Sequence, residues 1–151
     1  MTAPHTIVTV SARIDAPPER VYAIIANYRD GHPRILPKEF RGLTVEQGGI
    51  GAGTMIRFQM RMLGTTTNFR AAITEPVPGR VLVETYLEGK GAVTTFTVNP
   101  NGTSSEVTIS TDLPVTPGLL GAIERVLSVR ILRSIYTREL ALLAACAESN
   151  V

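Results

Sequence analysis

Between Phe40 and Leu113 the sequence repeats one pattern, in which apolar and polar residues alternate over short segments that end at turn-forming residues. A period of two places every second side chain on the same face of an extended strand. The segments are separated by glycine- and proline-containing turns at Gly48–Gly53, Gly64, Pro76–Gly79, Gly89–Gly91 and Asn99–Gly102. Because these connections are short, we expect neighbouring strands to pair antiparallel, with one buried face and one face in water.

Strand parity predicts which side chains face the core. The inward set contains no Asp, Glu, His, Lys or Arg and consists of Ile56, Phe58, Met60, Met62, Thr67, Phe69, Ala71, Ile73, Val81, Val83, Thr85, Leu87, Thr94, Phe96, Val98, Val107, Ile109, Thr111 and Leu113. The outward set is charged, with Arg57, Arg61 and Arg70 on neighbouring strands and Glu84 and Glu88 on the next. Since no aromatic residue interleaves with the arginines, a solvated ion-pair surface explains this face better than an RNA platform.

The flanking segments predict a strand and two helices. Thr6–Ile14 alternates like a half-buried strand, and a helix is expected to begin at Pro17 or Pro18 and to end before Gly31, followed by an irregular crossing to Pro37. A second helix is expected from Pro117 or Gly118 to about Ala147, a length of ~45 Å at 1.5 Å per residue. The chain therefore predicts a single α+β domain over residues 1–151, in which a long helix crosses an antiparallel sheet.

The C-terminal helix has two apolar seams. Its predicted core-facing seam is Ile123, Leu127, Ile131 and Ile135, and a second seam on nearly the opposite side consists of Val126, Val129, Tyr136, Leu140 and Leu143. Burial against the N-terminal helix explains the second seam, and a homodimer through the C-terminal helix is a further hypothesis.

Three motifs resemble the START-related (SRPBCC) superfamily, which includes polyketide cyclases and dehydrases, lipid-transfer domains and the major pollen allergen fold. Ile14–Tyr22 is similar to the family's opening of the first helix, although Tyr22 stands where Trp is usual, and no Trp occurs in the chain. Asn27–Pro37 resembles the segment that follows, and Gly49–Thr54 resembles a glycine-rich turn into the third strand. The resemblance implies a helix-grip fold, in which a curved sheet of about six or seven strands wraps around the C-terminal helix.

The resemblance also implies a cavity between sheet and helix that binds a small hydrophobic or amphipathic ligand. The predicted ligand-binding residues are Phe58, Met60, Phe69, Val83, Phe96, Ile109, Ile123, Leu127, Arg130 and Ser134. Arg130 or Ser134 would anchor a polar group, because an unpaired guanidinium in an apolar seam costs several kcal/mol. The alternatives are that Arg130 reaches water along the sheet rim, and that the apolar residues fill a solid core without a cavity.

Three functions are compatible with this pattern. The first is a carrier or sensor of a small hydrophobic ligand, and the second is a cofactor-independent enzyme of the polyketide cyclase/dehydrase type. The third is a protein-interaction domain that uses the two-sided C-terminal helix. General acid–base catalysis needs a titratable group within about 3 Å of the substrate's proton, and the predicted inward face supplies none. His32 and Tyr28 are therefore the remaining candidates, although a solvated loop histidine is the simpler interpretation of His32, and we assign no catalytic residue.

Several functional classes are disfavoured. His5, His32 and Cys146 lack metal-site spacing, so neither a metal nor a cofactor is expected, and the lone cysteine excludes an intramolecular disulfide. Gly49, Gly51 and Gly53 lead into a strand, which argues against a phosphate loop. A net charge of +2 without a basic cluster argues against nucleic acid. Charges within 119–143 argue against membrane insertion, and the absence of a signal-like start favours a cytoplasmic location.

Overall fold

Seven antiparallel strands form one sheet in the computed structural model, which describes residues 5–88, 91–115 and 117–149. Their order across the sheet is β1-β7-β6-β5-β4-β3-β2, so that β5 lies at the centre. The strands are β1 (His5–Ile14), β2 (Phe40–Gln47), β3 (Met55–Met62), β4 (Thr65–Val77), β5 (Val81–Tyr86), β6 (Val93–Asn101) and β7 (Ser104–Pro114). Of the predicted turn at Gly89–Gly91, Gly89 and Lys90 lie outside the described residues.

Helix α1 (Pro18–Ala26) begins at a proline, as predicted, because the first turn of a helix tolerates the missing N–H. It buries Val21, Tyr22 and Ile25. The peptide N–H groups of Gly31 and His32 then both donate to the Asn27 carbonyl, at 2.9 and 2.7 Å, and a 3-10 turn, His32–Ile35, follows. This tight reversal, which the sequence predicted only as an irregular crossing, directs His32 into the protein.

Helix α2 (Leu119–Glu148) has nearly the predicted bounds and packs against β1, the 3-10 turn and α1. Its buried side chains are Gly121, Leu132, Ile135, Tyr136, Glu139, Leu140, Leu143 and Ala147. Arg138 donates two hydrogen bonds to the Glu39 carboxylate, at 2.9 and 2.6 Å, and thereby ties the helix to the segment before β2. The helix-grip prediction is confirmed. No helix in the described ranges combines the length and hydrophobicity needed to cross a bilayer.

The predicted parity of β5 is wrong. Leu82 pairs with Phe96 and Glu84 pairs with Thr94, and these side chains face inward, whereas Val83 lies on the outer face. Both alternating sets of this strand contain apolar residues, so hydrophobicity does not decide its register, and a bulge between Thr74 and Val77 in β4 shifts the pairing. Glu84 is consequently only 5% exposed, and the expectation of an inward face without ionisable groups fails.

The arginines on the outer face of the sheet pair with a different carboxylate from the ones that the sequence predicted. Glu46 on β2 lies 3.4 Å from the Nε atom of Arg57 and 3.1 Å from that of Arg70. The charged outer surface is therefore organised around Glu46, and not around Glu84 as the parity of β5 had predicted.

Gly31 supports the reversal that positions His32, and we expect its replacement to disrupt this turn. A Cβ atom at residue 31 would overlap the Ile24 carbonyl oxygen, a backbone atom that cannot move aside freely. We predict that Gly31→Ala lowers the free energy of unfolding by about 2 kcal/mol or more in urea denaturation. The control is Gly102→Ala, where the added Cβ meets nothing within 4 Å and only the positive φ of 63° is unfavourable. Equal losses in the two variants would contradict this account.

Candidate functional site

A cavity of about 420 Å³ lies between the sheet and the N-terminal half of α2, a size typical of small-molecule sites. We call it the outer chamber. Its walls come from β2, β3, β4, the ends of β5 and β7, and α2, and they are mostly apolar: Thr6, Phe40, Phe58, Met60, Met62, Thr67, Phe69, Tyr86, Glu88, Ala92, Thr111, Leu113, Pro114, Val115, Gly121, Glu124, Arg125, Ser128, Val129, Leu132 and Tyr136.

Four aromatic rings form one wall of the outer chamber. The Phe58 ring stacks on that of Phe69, with centroids 5.4 Å apart, and contacts the ring of Tyr86 edge-on at 6.0 Å. Phe40 lies 5.7 Å from Phe58 on the other side. Packed rings of this kind hold one another in place, so this wall offers a rigid surface on which a flat apolar ligand can stack.

A chain of hydroxyl groups runs from this chamber into the core. Tyr136 lies 2.5 Å from Thr111, Thr111 lies 2.7 Å from Thr94, and Thr94 lies 3.2 Å from Tyr86, measured between side-chain oxygens. The Tyr86 hydroxyl in turn donates to Glu84 Oε1 at 3.3 Å. All four hydroxyls can therefore donate in one direction, toward the Glu84 carboxylate. Burial raises the pKa values of Tyr86 and Tyr136 well above their usual range.

A second, much smaller space of about 20 Å³ lies beyond this wall and is large enough for one group the size of a water molecule. We call it the inner chamber. It shares Phe40, Phe58, Tyr86 and Tyr136 with the outer chamber. The inner chamber adds ionisable side chains from three separate elements, namely His32, Glu84 and Glu139.

These three side chains form a buried acid–base cluster. His32 Nε2 lies 3.7 Å from Glu84 Oε2 and 3.9 Å from Glu139 Oε1. The other ring nitrogen, Nδ1, must carry a hydrogen, because its partner at 2.8 Å is the Ile25 carbonyl, which can only accept. Nε2 of a neutral His32 ring is therefore the free acceptor, and it faces the two carboxyl groups.

Tyrosine hydroxyls compensate the charge of Glu84. Tyr28 donates to Glu84 Oε2 at 2.6 Å, and Tyr86 donates to the other oxygen. The Tyr28 ring also stacks on the His32 ring, with centroids 4.4 Å apart. Burial, followed by the nearby charge of Glu84, raises the pKa of Glu139 well above its usual value. Glu139 thus keeps a proton under conditions in which an exposed glutamate has lost it, and the cluster holds a carboxylic acid beside potential bases.

A model of the polyketide cyclase/dehydrase and lipid transport family matches residues 5–148. The chain belongs to this family. Its resemblance to the START-related superfamily is therefore confirmed. No curated protein matches the sequence.

Solved structures share the fold of this family member over nearly its whole length. The KanY protein is 29% identical, with a TM-score of 0.83, and the match covers 99% of this chain and 100% of that one. A START superfamily protein from Mycobacterium smegmatis is 18% identical, with a TM-score of 0.75, over 96% of this chain and 98% of that one. The Zhui aromatase/cyclase from Streptomyces sp. R1128 is 13% identical, with a TM-score of 0.77, over 96% and 94%.

Four of the ligand-binding residues predicted for this family member line the two chambers. Phe58, Met60 and Phe69 line the outer chamber, and Phe58 and Phe96 line the inner one. Ile109 is fully buried in the core and is absent from both linings. Val83 faces the outside of the sheet, for the register reason given above.

The predicted helix residues lie outside the outer chamber. Ile123 and Leu127 are exposed, as are Arg130 and Ser134. A four-residue spacing advances about 40° around an α-helix at each step, so a seam drawn through Ile123, Leu127 and Ile135 spirals from the solvent side to the core. The α2 residues that line the chamber are Gly121, Glu124, Arg125, Ser128, Val129, Leu132 and Tyr136.

The candidate catalytic residues His32 and Tyr28 do come together, and both are buried, so the interpretation of His32 as a solvated loop residue is wrong. Sequence reasoning missed Glu84 and Glu139. Glu139 carries a usable signal, because it occupies a position on the buried helical face between Leu132 and Leu143, where an apolar residue is expected. Within the described ranges, no three His, Cys, Asp or Glu side chains are arranged to hold a metal ion together.

The raised pKa of Glu139 predicts a specific pH dependence of stability. The unfolded chain loses this proton above about pH 4.3, whereas the folded protein keeps it. Below that pH, Glu139 therefore makes its full contribution to the free energy of unfolding. This contribution falls as the pH rises toward the folded-state pKa of Glu139, by up to about 1.4 kcal/mol per pH unit. We predict that Glu139→Gln, which cannot titrate, gains stability relative to the wild type as the pH rises from about 4.5 to 7, measured by urea unfolding. Parallel pH profiles would show that Glu139 ionises normally.

Proposed function

We propose that the protein is a carrier or sensor that binds a small, mostly apolar molecule with one hydrogen-bonding end. The observation that carries this proposal is the outer chamber, an apolar space of about 420 Å³ with hydroxyl groups at its inner end. Membership of a family whose description includes lipid transport supports it. A cytoplasmic location and the absence of nucleic-acid partners stay predictions from the sequence.

The chamber favours an aromatic or polyene ligand body over a charged one. The Phe58, Phe69 and Tyr86 rings present faces and edges for stacking, while Met60 and Met62 adapt to irregular shapes. Thr111 and Tyr136 are placed to exchange hydrogen bonds with a ligand carbonyl or hydroxyl. Arg125 takes the role that the sequence had assigned to Arg130, because it is the cation of α2 that lines the chamber.

Filling the chamber should abolish binding without damaging the fold. Met60→Trp places an indole in the outer chamber, and we predict that affinity for the neutral fluorescent probe N-phenyl-1-naphthylamine falls at least about tenfold, equivalent to 1.4 kcal/mol. Gln59→Trp is the matched control, because Gln59 is the neighbour of Met60 on the same strand and its side chain is exposed. Probe titration by fluorescence, with circular dichroism to check folding, measures both. Equal affinity in the two variants, or no binding by the wild type, would refute the proposal.

A second function, a cofactor-independent enzyme of the cyclase or dehydratase type, is favoured by the His32, Glu84 and Glu139 cluster. Aldol-type cyclisation of a ketone and loss of the hydroxyl group of a β-hydroxy ketone as water both need a base that removes a proton next to the carbonyl and an acid that stabilises the enolate. The hydroxyl chain from Glu84 to Tyr136 links the cluster to the outer chamber. A ligand carbonyl beside Tyr136 would accept from the Tyr136 hydroxyl when the four hydroxyls donate in the opposite direction, with a protonated Glu84 donating to Tyr86, so that Glu84 acts as the acid at the far end of the chain.

Hydrogen–deuterium exchange tests this chemistry without knowledge of the natural substrate. We predict that the protein accelerates α-proton exchange of 2-tetralone in D₂O, followed by NMR, and that Glu84→Gln lowers the protein-dependent rate by about 100-fold. The control is Glu88→Gln, since Glu88 lines the outer chamber but does not belong to the cluster. No acceleration by the wild type, or equal rates in both variants, would exclude the enzymatic function while leaving ligand binding intact.

A further inference from the structure

The outer side of α2 carries a row of apolar side chains in contact with solvent. Leu119, Leu120, Ile123, Val126 and Leu127 are between 44% and 83% exposed. At 100° per residue these five positions fall on one side of the helix. We call this surface the α2 stripe. Large contiguous apolar surfaces on soluble proteins usually mark an interaction site.

The α2 stripe lies directly behind the outer chamber. The same two helical turns present Gly121, Arg125 and Ser128 to the chamber from their opposite side. One more exposed leucine, Leu63, lies in the turn between β3 and β4, next to Met62, which lines the chamber.

Charge indicates the chemistry of that partner. Arg130 and Arg133, both exposed, fall on the stripe side of the helix at 100° per residue, whereas Arg125 lines the chamber, and the segment 119–133 contains a single acidic residue, Glu124. An apolar helical face flanked by arginines is the pattern of helices that lie in the interface of a membrane with anionic lipids. A second copy of this chain, packed stripe against stripe, would present the same excess of arginine and no complementary acidic surface.

We propose that the α2 stripe docks on the surface of an anionic membrane. The helix lies parallel to the interface, its leucine, isoleucine and valine side chains enter the boundary between headgroups and acyl chains, and Arg130 and Arg133 contact lipid phosphates. Docking would bring the helix that walls the outer chamber onto the lipid surface, which shortens the path of an apolar ligand between the two. That last step rests on the proposed carrier function, whereas the docking itself does not.

Vesicle co-sedimentation tests the docking. We expect the wild type to bind vesicles of mixed phosphatidylcholine and phosphatidylglycerol, and to bind pure phosphatidylcholine at least about tenfold more weakly. The double variant Leu119→Ser/Leu120→Ser should lose at least about tenfold in affinity for the mixed vesicles, and so should Arg130→Gln/Arg133→Gln. Leu142→Ser is the matched control, because Leu142 is an exposed leucine at the other end of the same helix.

Three outcomes would overturn the docking proposal. They are absence of wild-type binding to the mixed vesicles, an equal loss in Leu142→Ser, and a dimer in light scattering that Leu119→Ser/Leu120→Ser dissociates while no vesicle binding is seen. The last result would assign the stripe to a second copy. Probe binding without vesicles separates this proposal from the carrier function, because the stripe faces away from the chamber and its variants should bind N-phenyl-1-naphthylamine normally. Loss of probe binding by the wild type, with vesicle binding retained, would refute the carrier and not the docking.

Discussion

The arrangement of the site depends on the hydrogen bonds that stabilise the buried carboxylate of Glu84. A carboxylate in the middle of a sheet is strongly unfavourable unless hydrogen bonds replace its lost water. Tyr28 and Tyr86 donate those bonds, and through them Glu84 joins the 3-10 turn region to the centre of the sheet. Each of the two tyrosines must be held in place to donate its hydrogen bond. The reversal at Gly31 and the bulge before β5 therefore both contribute to the hydrogen bonding of Glu84.

The helix-grip fold separates this polar cluster from the ligand-sized space. The C-terminal half of α2 packs against β1 and the 3-10 turn and closes over the cluster, contributing Glu139 and Tyr136. Its N-terminal half diverges from the sheet and leaves the outer chamber between them. One half of α2 thus covers the polar cluster, and the other half lines the outer chamber. The aromatic residues Phe40 and Phe58 line both chambers and form the boundary between them. The exposed α2 stripe belongs to the same diverging half.

The sequence predicted the fold well, because alternation, turn residues and proline positions are local signals that the structure obeys. The strands that carry Phe58, Phe69 and Phe96 have one clearly apolar parity, and their inward faces were assigned correctly. The β5 strand has two apolar parities, so its register depends on pairing across a bulge, which no local pattern reveals. The same limit applies to α2, whose chamber face is set by contacts of its distant C-terminal half. Glu84 and Arg125 were therefore missed as site residues, and Val83 and Arg130 were chosen instead.

Methyl NMR of methionine tests the central claim, that the outer chamber is where a small apolar molecule binds. Of the four methionines in the chain, Met60 and Met62 line the chamber, whereas Met55 does not. With ¹³C-methyl methionine, titration with N-phenyl-1-naphthylamine should shift the signals of Met60 and Met62 and leave that of Met55 unchanged. Binding that moves the Met55 signal, or that leaves Met60 and Met62 unmoved, would contradict the account.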